Sequence, residues 1–264
     1  MKKRLDVILT DRGLFESREK ARAAIMEGLV YVNGAMSDKP GTQVKEDAAI
    51  EIRGDVCPFV SRGGYKLQKA LDVFGIDPAG LVCLDIGSST GGFTDCLLQR
   101  GAAKVYALDV GTNQLAYKLR TDDRVVCMEK TNFRTLDTAS FPETVDLACT
   151  DVSFISLMHI FPNASALLKA GGSMVALIKP QFEAGRKQVG KKGIIRDPSI
   201  HEEVILKVIG YAKDSGFSVR GLDYSPITGT TGNIEFLLHL ALGGEDAEID
   251  IKAVVDIAHG DLED

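Results

Sequence analysis

Several features whose presence would have fixed the class of this chain are missing from it. No apolar run approaches the roughly 18 residues that a membrane-spanning helix requires. Behind Met1-Lys2-Lys3-Arg4-Leu5-Asp6 there is no apolar segment of the kind a signal peptide carries. The five cysteines, at 57, 83, 96, 127 and 149, are scattered and odd in number. Without C-x-x-C spacing or Cys/His pairing they exclude a disulfide scaffold and signal no metal. They read as buried, reduced thiols of a cytoplasmic protein. His159, His201, His239 and His259 show no pairing along the chain and read as structural or exposed. Internal repeats and low-complexity segments are absent too.

What remains is a chain of 264 residues with 45% apolar content, enough for a core in one large domain or in a small and a medium one. The formal charge of −6 misrepresents its surface. Residues 241–264 hold eight acids and one base, so the first 240 carry 30 bases and 29 acids. An acidic total therefore leaves room for nucleic acid, because local patches decide that binding.

The most informative stretch is Leu84-Asp85-Ile86-Gly87-Ser88-Ser89-Thr90-Gly91-Gly92-Phe93. It reads as a buried strand ending in an acid, a glycine-rich turn and a helix start, whose free N–H groups face the same space. Dinucleotide folds use G-x-G-x-x-G to cradle a pyrophosphate. Here the pattern is D-x-G-x-x-x-G-G, and a carboxylate in front of the first glycine would repel a pyrophosphate but suit an amine. Asp109 ends the next strand, 104–108, where it can accept both hydroxyls of a ribose. An adenosyl ligand with an amino group and no phosphate fits, which is S-adenosylmethionine; an ordinary tight strand–helix turn is the alternative. The cofactor candidates are Asp85, Gly87, Ser88, Ser89, Thr90, Gly91, Gly92, Phe93, Asp109 and Asn132.

Residues 1 to about 60 read as a small α+β module with its linker. Leu5, Ile8 and Leu9 form a helical stripe that stops near Gly13; Ser17 caps a second helix that ends at Gly28. A strand at 29–32, the turn signal Asn33-Gly34 and a returning strand at 49–52 follow. Arg4, Arg12, Arg18, Lys20 and Arg22 lie on the polar face, and with Glu16, Glu19 and Glu27 interleaved they could equally be a solvated helix face. The spacing Arg4-Leu5-Asp6, Gly13, Ser17-Arg18, Ile25, Gly28, Val30, Val32, Asn33-Gly34 resembles the RNA-binding domain named after ribosomal protein S-four. That resemblance implies that Arg4, Arg12, Ser17, Arg18, Lys20 and Arg22 face structured RNA.

From about 61 the pattern alternates strand and helix. Strands are expected at 81–86, 104–109, 124–128, 145–150, 173–178, 217–224 and 234–240, and helices at 64–75, 92–100, 112–119, 156–169 and 199–215. The expected fold is α/β, a Rossmann-like doubly wound sheet of seven strands with the last one antiparallel, over 61–243. The acidic tail, 244–264, is expected to be a short strand and helix or disordered.

Lys66, Asp151, Lys179 and Glu235 each stand at the edge of an apolar or small-residue stretch, three of them at strand termini. They could form a structural salt-bridge cluster. In order and context they also match the K-D-K-E tetrad of ribose 2′-O-methyltransferases of the FtsJ (RrmJ) family. The flanking S-R-G-G-Y-K-L, D-V-S-F-I-S-L, I-K-P-Q-F-E and G-N-I-E-F resemble the TlyA family, which joins an S-four-type domain to an FtsJ-like one. The resemblance implies methylation of ribosomal RNA, with cytidine as target and both subunits as possible substrates. A ribose hydroxyl is a weak acid, so Lys179 is the candidate proton acceptor, its pKa lowered by burial and by the Lys66 charge and held up by Asp151 and Glu235. Lys66 is placed to stabilise charge on the oxygen. The segment 184–197 has five bases, and Arg186, Lys187, Lys191 and Lys192 are expected to grip phosphates. Two rival readings are an RNA-binding protein with a vestigial methyltransferase domain and a membrane-active haemolysin, the latter without any amphipathic basic helix to support it.

Overall fold

The computed structural model describes residues 2–26, 28–53, 57–185, 188–190 and 193–262. It divides into two compact units, residues 1–62 and 63–264.

In the first unit, β1 (Lys2–Arg4) runs into α1 (Leu5–Asp11), followed by α2 (Arg18–Met26), β2 (Val30–Val32), β3 (Ala35–Met36), β4 (Gln43–Lys45) and β5 (Ile50–Ile52). Leu5, Ile8 and Leu9 from α1 meet Ala21, Ala24 and Ile25 from α2, and Val30 and Val44 close this small core. The Ser17 hydroxyl accepts from the Lys20 N–H at 3.2 Å, so it caps α2 as expected. The Asn33-Gly34 turn has φ of 51° and 80°, the pairing that matches the twist of a hairpin. It leads into β3, which the sequence pattern did not announce; β5 pairs β2 on the other side, and β4 pairs β1 in a separate ribbon.

The second unit contains α3 (Gly63–Phe74), β6 (Val82–Ile86), α4 (Gly92–Gln99), β7 (Lys104–Leu108), α5 (Tyr117–Arg120), β8 (Val125–Met128), β9 (Val145–Thr150), α6 (Phe161–Leu167), β10 (Leu168–Ile178), α7 (Pro180–Glu183), α8 (Pro198–Asp214), β11 (Phe217–Tyr224), β12 (Phe236–Leu242) and α9 (Ile251–Leu262). Seven strands form one sheet in the order β11-β12-β10-β9-β6-β7-β8. Only β12 runs against its neighbours, so the carboxyl ends of β6, β7, β9 and β10 and the start of β12 share one edge. The strands are buried on both faces: Leu84, Ile86, Leu108, Ala148, Ala176, Ile178 and Phe236 share one core, and Cys83, Val105, Leu147, Cys149, Leu177 and Leu237 are buried on the other face.

Three expectations need correction. Residues 112–119 are mostly a turn, with α5 a single helical turn: the Asn113 φ of 58° and the bond from its N–H to Glu129 stop a helix there. The helix expected over 156–169 splits into a 3-10 turn at Leu157–His159 and α6, because Pro162 must sit at a helix start. His201 and His259 are paired after all, with Nδ1 2.9 Å from Nε2, joining α8 to α9. Within the acidic C-terminal stretch, α9 packs on α8 and β11 and buries Val255 and Ala258.

Candidate functional site

Four strand ends and one strand start converge at a single edge of the sheet. Asp85 is the next-to-last residue of β6 and is fully buried. Its Oδ2 accepts from the Thr94 N–H at 3.0 Å and the Thr94 hydroxyl at 2.6 Å, which caps the first turn of α4 from below. Its Oδ1 is buried without a protein partner. Burial drives this carboxyl up to about 7, the Thr94 bonds opposing it and the Asp151 and Asp109 charges adding to it.

Above Asp85 the glycine-rich turn is drawn tight. Gly87 and Ser88 both donate to the Leu108 carbonyl at 2.9 Å, and Gly91 donates to Ser88 at 2.7 Å. Gly91 has φ 99°, and a Cβ there would lie 2.2 Å from Leu119 Cδ1 and 2.8 Å from Leu115 Cδ1. Only glycine fits. Gly92 and Phe93 open α4, where the first N–H groups of a helix have no acceptor within it. Ser89 and Thr90 are exposed on the turn. Asp109, directly after β7, accepts from Ser89 N–H at 2.8 Å and from Gly111 N–H at 2.7 Å, one bond per oxygen. Each carboxylate oxygen keeps a lone pair for a ligand hydroxyl. Asn132 is exposed and caps a 3-10 turn through its Oδ1, which accepts from Arg134 N–H at 3.1 Å. An orphaned buried carboxylate oxygen, a glycine turn and a half-satisfied acid at the next strand end suit a cationic adenosyl ligand.

The four charged residues form one linked cluster beside that turn. Lys66 Nζ on α3 lies 2.6 Å from Glu235 Oε2 and 3.4 Å from Asp151 Oδ2; Lys179 Nζ lies 2.6 Å from Asp151 Oδ1. Asp151 thus bridges the two lysines. Burial would pull Lys66 down, but Asp151 and Glu235 outweigh it and raise its pKa, so this ammonium stays charged. The Gly229 Cα faces Glu235 so closely that a Cβ there would come within 2.6 Å of Oε1. Val152 connects cluster and turn: a Cβ at Gly87 would meet its Cγ1 at 2.9 Å.

Several neighbours lay inside motifs that the sequence offered without revealing their roles. Ser153 Oγ accepts from Lys179 Nζ at 2.9 Å. Phe154 is 90% exposed at φ 62°, its ring 4.8 Å from that of Phe182. An exposed aromatic held in the left-handed region costs of order 1–3 kcal/mol. Glu183, buried, accepts from the Ser156 hydroxyl and the Leu157 N–H at 2.7 Å each, which anchors the segment after Asp151. Burial raises the Glu183 pKa. Asn233, also buried, accepts from Ile195 N–H at 2.9 Å and donates to Gly193 O at 2.8 Å. The available signal was position alone: polar or aromatic residues packed directly behind strand-end charges.

In the first unit, buried Asp6 grips two half-exposed arginines: Arg4 Nε and Nη2 donate at 2.9 Å, and Arg18 Nη2 at 3.0 Å. Arg12 is turned to backbone carbonyls, Ala48 at 2.9 Å and Glu46. Lys20 pairs with Glu16 one turn before it, and Arg22 is exposed. Arg186, Lys187, Lys191 and Lys192 lie outside the described residues.

The FtsJ-like methyltransferase pattern matches residues 59–242 and the S4 domain pattern residues 3–50. The "Putative rRNA methyltransferase YqxC" of Bacillus subtilis is 52% identical over all of this chain and 96% of its own length. The 16S/23S rRNA (cytidine-2'-O)-methyltransferase TlyA of Mycobacterium tuberculosis is 42% identical over 97% of this chain and 96% of its own. The solved structure of a "Putative hemolysin" from Streptococcus thermophilus is 50% identical, covers 98% of this chain and 96% of its own, and superposes with a TM-score of 0.79.

Proposed function

We infer the function from one premise: the chain belongs to the FtsJ-like methyltransferase family, in the TlyA group that carries an S4 domain ahead of the methyltransferase. The protein is an S-adenosylmethionine-dependent enzyme that methylates the ribose 2′-hydroxyl of cytidine in ribosomal RNA. Residues 1–60 anchor RNA and 61–243 carry out the transfer, with α9 within the acidic tail bracing α8 and β11. The partner is ribosomal RNA or a ribosomal subunit, met in the cytoplasm.

The observation that carries this reading is the Lys66–Asp151–Lys179 chain of ion pairs beside the glycine turn. Asp109 accepts the ribose hydroxyls of the cofactor, and Asp85 faces its positive charge from beneath the turn. S-adenosylmethionine supplies a methyl group already activated by its sulfonium charge. Lys179 accepts the proton of the 2′-hydroxyl, while the charged Lys66 stabilises the negative charge that grows on that oxygen. Asp151 fixes both lysines, and Glu235 keeps Lys66 from competing as a base by holding its proton in place. Phe154 offers a face on which the target base stacks, an interaction worth ~1–3 kcal/mol. Arg4 and Arg18, oriented by Asp6, meet phosphates.

The test uses labelled methyl donor and unmethylated ribosomal subunits. Label appears in RNA at a linkage resistant to alkaline hydrolysis, the mark of a blocked 2′-oxygen. Label found on a base overturns the assignment. Membrane lysis gains no support from the helices, none of which among the described residues is long and apolar enough to cross a membrane.

A further inference from the structure

We propose that Ser153 is a positioning residue that aims the lone pair of Lys179 at the substrate. The inference rests on Lys179 acting as the proton acceptor. An amine held at the end of a strand is still free to spin about its Cε–Nζ bond, and a single partner leaves its remaining two directions equivalent. Lys179 has two partners. Ser153 Oγ, 2.9 Å away, accepts one N–H in a formed hydrogen bond, and Asp151 Oδ1, 2.6 Å away, is an ion-pair contact that completes no hydrogen bond. As an ammonium the group donates to Ser153 and turns its charge to the Asp151 carboxylate. As a neutral amine it has two N–H bonds; with one held by Ser153 and the Asp151 carboxylate repelling the lone pair, the lone pair takes the direction away from both. The nearby Phe182 ring, 6.0 Å from Nζ, is too distant to direct it.

The surroundings fix Ser153 itself. Val152 before it lies against Gly87 of the glycine turn. Three residues after it, Ser156 is tied to buried Glu183 at 2.7 Å, as is the N–H of Leu157. The serine is exposed while Lys179 is buried, so the hydroxyl stands between the amine and the open side of the site. Glu235, the other carboxylate of the cluster, does not compete for the amine, because it is engaged by Lys66 at 2.6 Å.

The full-length protein is assayed by single-turnover methyl transfer to unmethylated ribosomal subunits. Ser153→Ala slows transfer by about tenfold, the scale of removing one aligning hydrogen bond. Its KM for S-adenosylmethionine and its melting temperature stay at parent values. Ser153→Thr, which keeps the oxygen, restores the rate to within about threefold. Ser153→Ala placed on Lys179→Ala adds no further loss, because the serine acts only through the amine. A parent-like rate in Ser153→Ala, a loss that threonine fails to restore, or an equal loss in the Lys179→Ala background each overturns the proposal. If the parent protein itself transfers no methyl to a ribose, the base assignment of Lys179 fails instead.

Discussion

Asp6 in the first unit and Asp85 in the second are almost completely buried, at 0% and 1% exposure, and the two end in opposite states. Asp6 is held down to about 2, first by hydrogen bonds from Arg4 and then, against the cost of burial, by Arg18. Asp85 is pushed up to about 7 by burial, with only the Thr94 hydroxyl and N–H to oppose it. Asp6 is covered only by two half-exposed arginines while Asp85 lies deep in the sheet, so depth and partner act together: a full guanidinium charge near the surface keeps one carboxylate ionised, and two neutral dipoles in the interior do not do so for the other. The first unit uses its buried acid to hold two permanent charges at its surface. The second keeps an acid whose charge is undecided near neutrality, directly under the place proposed for a cationic cofactor.

The sharpest division between the units is kinetic. Lys179→Ala loses methyl transfer by at least ~100-fold, the scale of a removed general base, while RNA and cofactor affinity stay within a few-fold. Lys179→Arg does not restore activity, since a guanidinium does not give up its proton. Near-parent transfer by the arginine variant would leave Lys179 an electrostatic role only.

Next in size is the cofactor. Asp109→Ala weakens S-adenosylmethionine binding about tenfold, the worth of a charge-assisted hydrogen bond, as read by calorimetric titration. An unchanged dissociation constant in a folded variant removes Asp109 from the site. Reversing charge at Arg18 and Lys20 has the complementary result. RNA binding weakens, the slope of affinity against salt falls by about one for each phosphate no longer neutralised, and cofactor affinity does not move. If RNA affinity and its salt slope hold at parent values, the first unit is not the anchor.

The smallest effect tests the two aspartates directly. Asp85 has a folded pKa raised above its ordinary value, so its neutral form contributes stability that is complete below about pH 4 and lost as pH rises through about 7. A cation above it favours the ionised form. Affinity for S-adenosylmethionine therefore climbs a few-fold as pH passes about 7, and Asp85→Asn flattens that climb. A pH slope that survives in the asparagine variant assigns the titration to another group. Asp6 has the opposite sign: its contribution is present above its ordinary value and disappears only as pH falls toward about 2.

Much of this was legible in the chain. Most of the seven strands follow from short apolar runs, several of them ending in a charged residue; the reversed last strand came from the usual plan of the cofactor class, and the grouping of the four charges from the resemblance to the FtsJ family. The region 112–119 misled because Leu115 and Leu119 keep helical spacing, yet their methyls serve to close over Gly91 instead. The His201–His259 pair spans 58 residues and two helices, which no local pattern records. Ser153 and Phe154 were present in a recognisable motif, but the φ of 62° that turns the aromatic outward is a property of the folded segment. Arg12 was grouped with the RNA-facing bases by charge, and tertiary hydrogen bonds to Ala48 and Glu46 direct it to the backbone.

The reversal of β12 has a consequence for how the protein is born. Lys66 and its closest counter-charge, Glu235, are 169 positions apart in the chain. During synthesis the lysine emerges early, on the helix that opens the catalytic unit; Asp151 follows as a first counter-charge, and the shorter pair with Glu235 waits for the final strand of the sheet. A chain made without β12 would seat α3 with its buried ammonium balanced only by the longer pair to Asp151. Completion of the sheet and completion of the catalytic cluster become one event, and a product truncated before β12 lacks the Glu235 half of the Lys66 pairing.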